Sequence, residues 1–150
     1  MALIVSIVAL STGSGSTTTT VVQAATPASS SAPAPTSVKL VVKSDAQHAK
    51  KGPDGQWHDA FLGGNFTVHA GQTVNVTVSN YDDSPHSFTS PSVGVNETIA
   101  GATNAGPHTV HFTFKAPSTA GAYQWWCALP CDPWAMSHDG YMRGHITVVS

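Results

Sequence analysis

Two stretches of the chain carry side chains whose types and spacing could do chemistry. In the first, Asn80-Tyr81-Asp82-Asp83-Ser84-Pro85-His86-Ser87-Phe88, a polar turn ends one strand-like run and the next opens on a histidine directly after proline. The Pro85 ring fixes its own φ and limits Ser84 to extended conformations, so His86 is presented from a stiff platform. The second stretch runs from Gly121 to Val148 and sets Tyr123, Trp125 and Cys127 on one face of a strand. A loop rich in Pro and Gly follows, bearing Cys131, Met136, His138 and Met142. Thiolate, thioether and imidazole together are the soft and borderline donors that copper favours. A structural zinc site takes four Cys or His ligands and no thioether, which makes copper the sharper expectation. Blander roles stand beside this one. Cys127 and Cys131 could close a small disulfide loop, subject to the narrow Cα separation such a bond needs. Trp125, Trp126 and Trp134 suit core or loop cover, or an apolar shell that keeps water from a metal.

These residues need β-structure to hold them. Val38–Lys43 is short and β-branched, Phe66–His69 leads through Ala70-Gly71 into Thr73–Ser79, and there Val74, Val76 and Val78 alternate with Thr and Asn. A period of two predicts half-buried strands. Further strands are expected over His86–Thr89, Val110–Lys115, Ala122–Cys127 and His145–Val149. No amphipathic stretch long enough for a helix of roughly 10 to 12 residues appears on the 3.6-residue period. The fold class expected is all-β, a sandwich or barrel, and roughly 110 residues can enclose one inter-sheet core without disulfides.

The chain has 150 residues, 41% apolar and only 9% charged, with six Lys+Arg against eight Asp+Glu. Charged residues ordinarily make up about a quarter of a soluble protein, so Ser, Thr, Asn and Gln must wet this surface. No basic stripe exists to neutralise phosphates, and no nucleic-acid partner is expected. Met1 to Leu10 is an uncharged apolar run of half the roughly 20 residues a membrane span needs, read as a signal or anchor remnant. Ala24 and Ala25 offer small residues of the kind found at cleavage sites. Ser11–Thr20 and Thr26–Thr36 are rich in Ser, Thr and Pro and cannot bury enough apolar surface to fold. The organisation expected is a disordered tail and linker over 1–36 and one domain over 37–150. Its location is extracytoplasmic: periplasmic, secreted, or tethered to the membrane at the cell surface. Three glycosylation-like triplets begin at Asn65, Asn75 and Asn96, a pattern common by chance in Thr-rich sequence. His48, His58, His69, His108, His111 and His145 are read as surface residues.

Residues 37–150 resemble the cupredoxin family of copper proteins. In that family a histidine follows Pro near an Asn at the start of a middle strand, as in Asn80–Phe88. The remaining ligands lie on a Gly-x-Tyr-x-aromatic-x-Cys strand and the loop after it, like Gly121–Cys127 and the segment up to Met142-Arg143-Gly144-His145-Ile146-Thr147-Val148. The resemblance implies a Greek-key β-sandwich with the metal at one end, and His86, Cys127, His138 and Met142 in the family's ligand order. The Cys127-x-x-x-Cys131 spacing is similar to the dinuclear CuA loop of cytochrome oxidase subunit II and nitrous oxide reductase, which adds Cys131 and the backbone carbonyl of Leu129. The loop here is longer: His138 lies seven residues after Cys131 and Met142 four further, where CuA loops use four and three. Read as a mononuclear loop, it has Asp132 where the histidine is expected, and Met136 is a rival to Met142. The implied function is single-electron transfer by a copper carrier rather than an enzyme, leaning to a dinuclear CuA-like centre. Its partner would be a redox protein or terminal oxidase. The alternatives are a mononuclear type 1-like site, a copper-trafficking module and a metal-free adhesive sandwich.

Overall fold

The computed structural model describes residues 32–44 and 49–150. The Met1–Leu10 run, Ala24, Ala25, the Ser/Thr/Pro stretch up to residue 31, and His48 lie outside the described residues. Ala32–Pro35 have no regular structure, and the Ala34 carbonyl accepts a hydrogen bond from Gln72 Nε2 at 2.7 Å. Ala34, just before β1, is therefore tied to Gln72, just before β6.

The strands are β1 (Thr36–Lys43), β2 (Lys50–Lys51), β3 (Trp57–His58), β4 (Ala60–Leu62), β5 (Phe66–His69), β6 (Thr73–Asn80), β7 (His86–Ser90), β8 (Val95–Ile99), β9 (His108–Lys115), β10 (Gly121–Trp126) and β11 (Arg143–Val149). One helix, α1 (Pro133–Ser137), lies in the loop between β10 and β11. Two sheets form a Greek-key sandwich, ordered β4-β1-β6-β9 and β5-β11-β10-β7-β8, while β2 and β3 make a separate ribbon. Strand pairs β1/β6 and β5/β11 run parallel and the others antiparallel. No helix among the described residues is long and apolar enough to cross a membrane.

Alternation decides which side chains face the core. In β6, Val74, Val76 and Val78 are buried while Asn75 is exposed, and β1 contributes Leu40 and Val42. The opposite sheet supplies Val68, Phe88, Trp125, Ile146 and Val148. Each predicted strand is present within two residues of its expected ends; the largest shifts are at the starts of β1 (Thr36), β9 (His108) and β11 (Arg143). Strands β2, β3, β4 and β8 were not expected. In β8 only Val95 and Ile99 face inward around Asn96-Glu97-Thr98, and β2 and β3 hold two residues each, too few for a period to register.

Trp125 is fully buried, its Nε1 donating to the Gly64 carbonyl at 2.7 Å, with its ring stacked on Phe88 at 4.8 Å and edge-on to Phe61 at 5.1 Å. Gly64 makes room for the indole, since a Cβ there would collide with it, and a Cβ at Gly144 would collide with Asn65 Oδ1 and press on the indole. Trp126, the next residue, points outward and is 38% exposed, so of this pair only Trp125 covers the core. Trp125→Ala is expected to cost about 3–5 kcal/mol in urea unfolding, and Trp126→Ala about 0.5 kcal/mol or less. Equal costs would show that the two rings are interchangeable.

Candidate metal centre

The site is built where β6 hands over to β7 and where β10 runs into the loop containing α1. Asn80 closes β6, and its side chain is wholly enclosed. Its Nδ2 donates to the carbonyls of Ser84 (2.9 Å) and Ala100 (3.0 Å), and its Oδ1 accepts from the Asp82 amide at 2.9 Å. Gly101 packs so closely on the Asp83 backbone that a Cβ there would overlap it. The turn is thus fixed on two sides, and Pro85 delivers His86 into β7 with no exposed surface.

Asp82 orients that imidazole. The His86 Nε2 donates to Asp82 Oδ2 at 2.7 Å, which leaves Nδ1 facing the Cys127 sulfur at 3.8 Å. Burial opposes the charge on Asp82, but hydrogen bonds from His86, Ser44 and the Ser84 amide outweigh it and lower the carboxyl below its usual range. A carboxylate on the far nitrogen of a histidine fixes the tautomer and makes the near nitrogen a better donor.

Cys127 is 1% exposed and directly follows β10, buried like Trp125 two residues before it, as alternation predicts. Its amide donates to the Met142 carbonyl at 2.8 Å, and its sulfur accepts from the Ser87 amide at 3.4 Å. The Leu129 carbonyl lies 3.7 Å from the same sulfur. Both cysteines are free thiols, so the disulfide alternative is not what the structure holds. The ligand atoms of His86, Cys127 and Cys131 all lie within 4.8 Å of one another. The hydrogen bond from the Cys131 thiol, with help from His86 and the Ser87 amide, lowers the Cys127 thiol. The same hydrogen bond, burial and the charges of Cys127, Asp59 and Asp132 raise Cys131. The pair gives up one proton readily and holds the second, and a bound cation is what would release it. Two soft sulfurs and an imidazole converging, with His86 and Cys127 buried and Cys131 half-buried, fit copper.

Other expected ligands are placed differently. Met142 is fully buried beside Cys127 through its backbone, and Met136 is half-buried on α1. His138 is exposed, its Nδ1 2.7 Å from the Trp134 carbonyl and 3.0 Å from Ser137 Oγ, with its ring stacked on Trp134 at 3.6 Å. It is not among the groups that close on His86. The extra loop residues form α1, started by Pro133 and capped by Asp132, whose Oδ1 accepts from the amides of Trp134 (2.8 Å) and Ala135 (3.1 Å). Asp132 thus serves as a helix cap where a mononuclear loop would carry histidine.

Sequence reasoning missed Asp82, Asp59 and His58. Asp59, Asp82 and His86 form a second close group within 4.8 Å, the back of the same site. Burial raises the Asp59 carboxyl above its usual range. His58 was expected at the surface and is instead 8% exposed, because Trp134 stacks on it at 3.9 Å and carboxylates face both its nitrogens. Burial works against charge on that ring, and the hydrogen bonds of Asp132 and Asp54 overcome it and raise its pKa. Asp54 lies only four residues before it, but Asp132 lies 74 residues away and leaves no local signal.

No family model matches the sequence, and no curated protein matches it. Among solved structures, copper nitrite reductase from Nitrosomonas europaea is similar at 20% identity and a TM-score of 0.54, over 77% of this chain and 41% of that one. The periplasmic domain of cytochrome oxidase subunit II (CoxB) from Bradyrhizobium japonicum matches at 20% identity and a TM-score of 0.49, over 76% of this chain and 83% of that one. Auracyanin A, a blue copper protein from the green thermophilic photosynthetic bacterium Chloroflexus aurantiacus, matches at 22% identity and a TM-score of 0.49, over 77% and 99%. At these identities the likeness is one of fold.

Proposed function

We propose that this chain, whose fold is cupredoxin-like, holds copper between His86, Cys127 and Cys131 and passes single electrons. The observation that carries this reading is the convergence of one imidazole and two thiols within 4.8 Å at the end of a β-sandwich. Copper bound there would supply one-electron exchange between its two common oxidation states. The chain's own part is to prevent rearrangement. Asp82 holds the His86 ring, the Ser87 amide and the Met142 carbonyl fix Cys127, and Phe61, Trp125 and Met142 exclude water.

The second thiol favours a dinuclear CuA-like centre, in which the Leu129 carbonyl and Met142 would complete the set and His138 would join on loading. The exposed position of His138 favours the other reading, a mononuclear site of His86, Cys127 and Met142. In either form the protein acts as an electron carrier. The Met1–Leu10 run and the Ser/Thr/Pro stretch support a place outside the cytoplasm, secreted or tethered, in exchange with a redox partner or terminal oxidase.

Copper content and the visible spectrum of the purified chain test this. A carrier contains copper and is coloured, a trafficking module binds it without stable colour, and an adhesive sandwich holds none. His86→Ala is expected to weaken copper retention by more than the roughly 10–100-fold that loss of an outer partner costs. His69→Ala, on the exposed end of β5, and His145→Ala, near Asp139 at 3.6 Å, should retain it. Equal losses in all three would remove His86 from the centre.

A further inference from the structure

Cys131 has no strand of its own to hold it. Its neighbour Asp132 is gripped instead by two consecutive residues from a distant part of the chain. His58 Nδ1 donates to Asp132 Oδ2 at 2.7 Å, and Asp59 Oδ2 accepts from the Asp132 amide at 3.2 Å. The other face of His58 is closed by Asp54, whose Oδ2 lies 2.9 Å from Nε2 and whose Oδ1 accepts from the Gln56 amide at 3.0 Å. Carboxylate oxygens only accept, so an imidazole facing one at each nitrogen carries both hydrogens and a positive charge. The ring also lies flat against Trp134 at 3.9 Å, so the residues on both sides of Pro133 are held. The same ribbon grips the far end of the loop, where Tyr141 Oη donates to the Lys51 carbonyl at 3.1 Å and Lys50 Nζ donates to the Gly140 carbonyl at 3.1 Å.

We propose that His58, acting with Asp59 on Asp132, is the positioning residue that sets the Cys131 thiol against Cys127 and so decides whether the second sulfur joins the centre. The proposal rests on the copper reading for its consequence but not for its geometry. Between Cys127 and α1, the Ala128 amide is tied to β7 through Ser87 Oγ at 2.8 Å, and among the described residues His58 and Asp59 are what tie Asp132 outside its own helix. The ribbon carries none of the expected ligands, and its role is to fix where one of them stands.

The test compares wild type, His58→Phe and Asp132→Asn in the full chain. Phenylalanine keeps a flat ring for Trp134 and loses both hydrogen bonds. Asparagine keeps the helix cap and removes the charge that His58 pairs with. In reduced, metal-free protein, the rate at which a thiol reagent labels each cysteine is read by mass mapping. Both variants are expected to label Cys131 about tenfold faster, as local opening would give, with Cys127 changed by less than about twofold. His58→Gln, which keeps one N–H for Asp132, should fall between. After copper addition, both variants should show an altered visible and EPR spectrum. Wild-type labelling of Cys131 and a wild-type spectrum in both variants would overturn the proposal. If His58→Phe does not fold, Asp132→Asn decides by the same readings. If wild type takes up no copper, the copper reading fails, while the labelling rates still decide the clamp.

Discussion

Cys127→Ser is expected to abolish the intense visible absorption of the copper-loaded protein and to leave the sandwich folded. The sulfur is met from three sides. It accepts from the Ser87 amide at 3.4 Å, faces His86 Nδ1 at 3.8 Å and sits 3.7 Å from the Leu129 carbonyl. An intense charge-transfer band needs an electron-rich, polarisable sulfur bound to the metal, and a hydroxyl is a harder donor that stays protonated near neutrality. The structural cost should be small, on the order of 1–2 kcal/mol, because a serine oxygen can still accept from the Ser87 amide. The check is an absorption spectrum beside circular dichroism of the same sample. Retained colour in a folded variant would remove Cys127 from the centre and with it both copper readings.

The second large effect is expected from Cys131→Ser. If two coppers were held here, the thiolates of Cys127 and Cys131 would offset much of their charge, whereas one copper would have little use for both. The wild-type chain is then expected to bind two coppers and to share one unpaired electron over both nuclei, with correspondingly more hyperfine lines. In Cys131→Ser the stoichiometry should fall to one or none and that line pattern should collapse. Copper per folded chain and the EPR spectrum measure both. One copper in the wild type, with a spectrum unchanged in Cys131→Ser, would establish the mononuclear reading instead. The exposed His138, stacked on Trp134, is the structural feature most at odds with the dinuclear form. His138 would have to leave that stack and its hydrogen bond to the Trp134 carbonyl before it could ligate.

Alternation along single strands was readable directly from the chain: the valines of β6 face inward, and Trp125 in β10 and Cys127 just past its end are both buried. The Pro85-His86 step was equally legible, because proline acts on its own and the preceding residue and needs no distant partner. These are local rules, with a reach of two to four residues, and sequence carries them without loss. What only the tertiary structure decided are the contacts between segments far apart. His58 reaching Asp132, and the two thiols meeting under His86, depend on how two sheets and a ribbon pack. The β10–β11 loop shows the boundary between the two. Its residue types carry the expectation of soft metal ligands, while a single turn of helix capped by Asp132, and a ribbon formed more than seventy residues earlier, set where Cys131 and His138 stand. Spacing in sequence bounds how far a loop can reach, while its path is chosen by the side chains it packs against, and those leave no periodic trace in the chain.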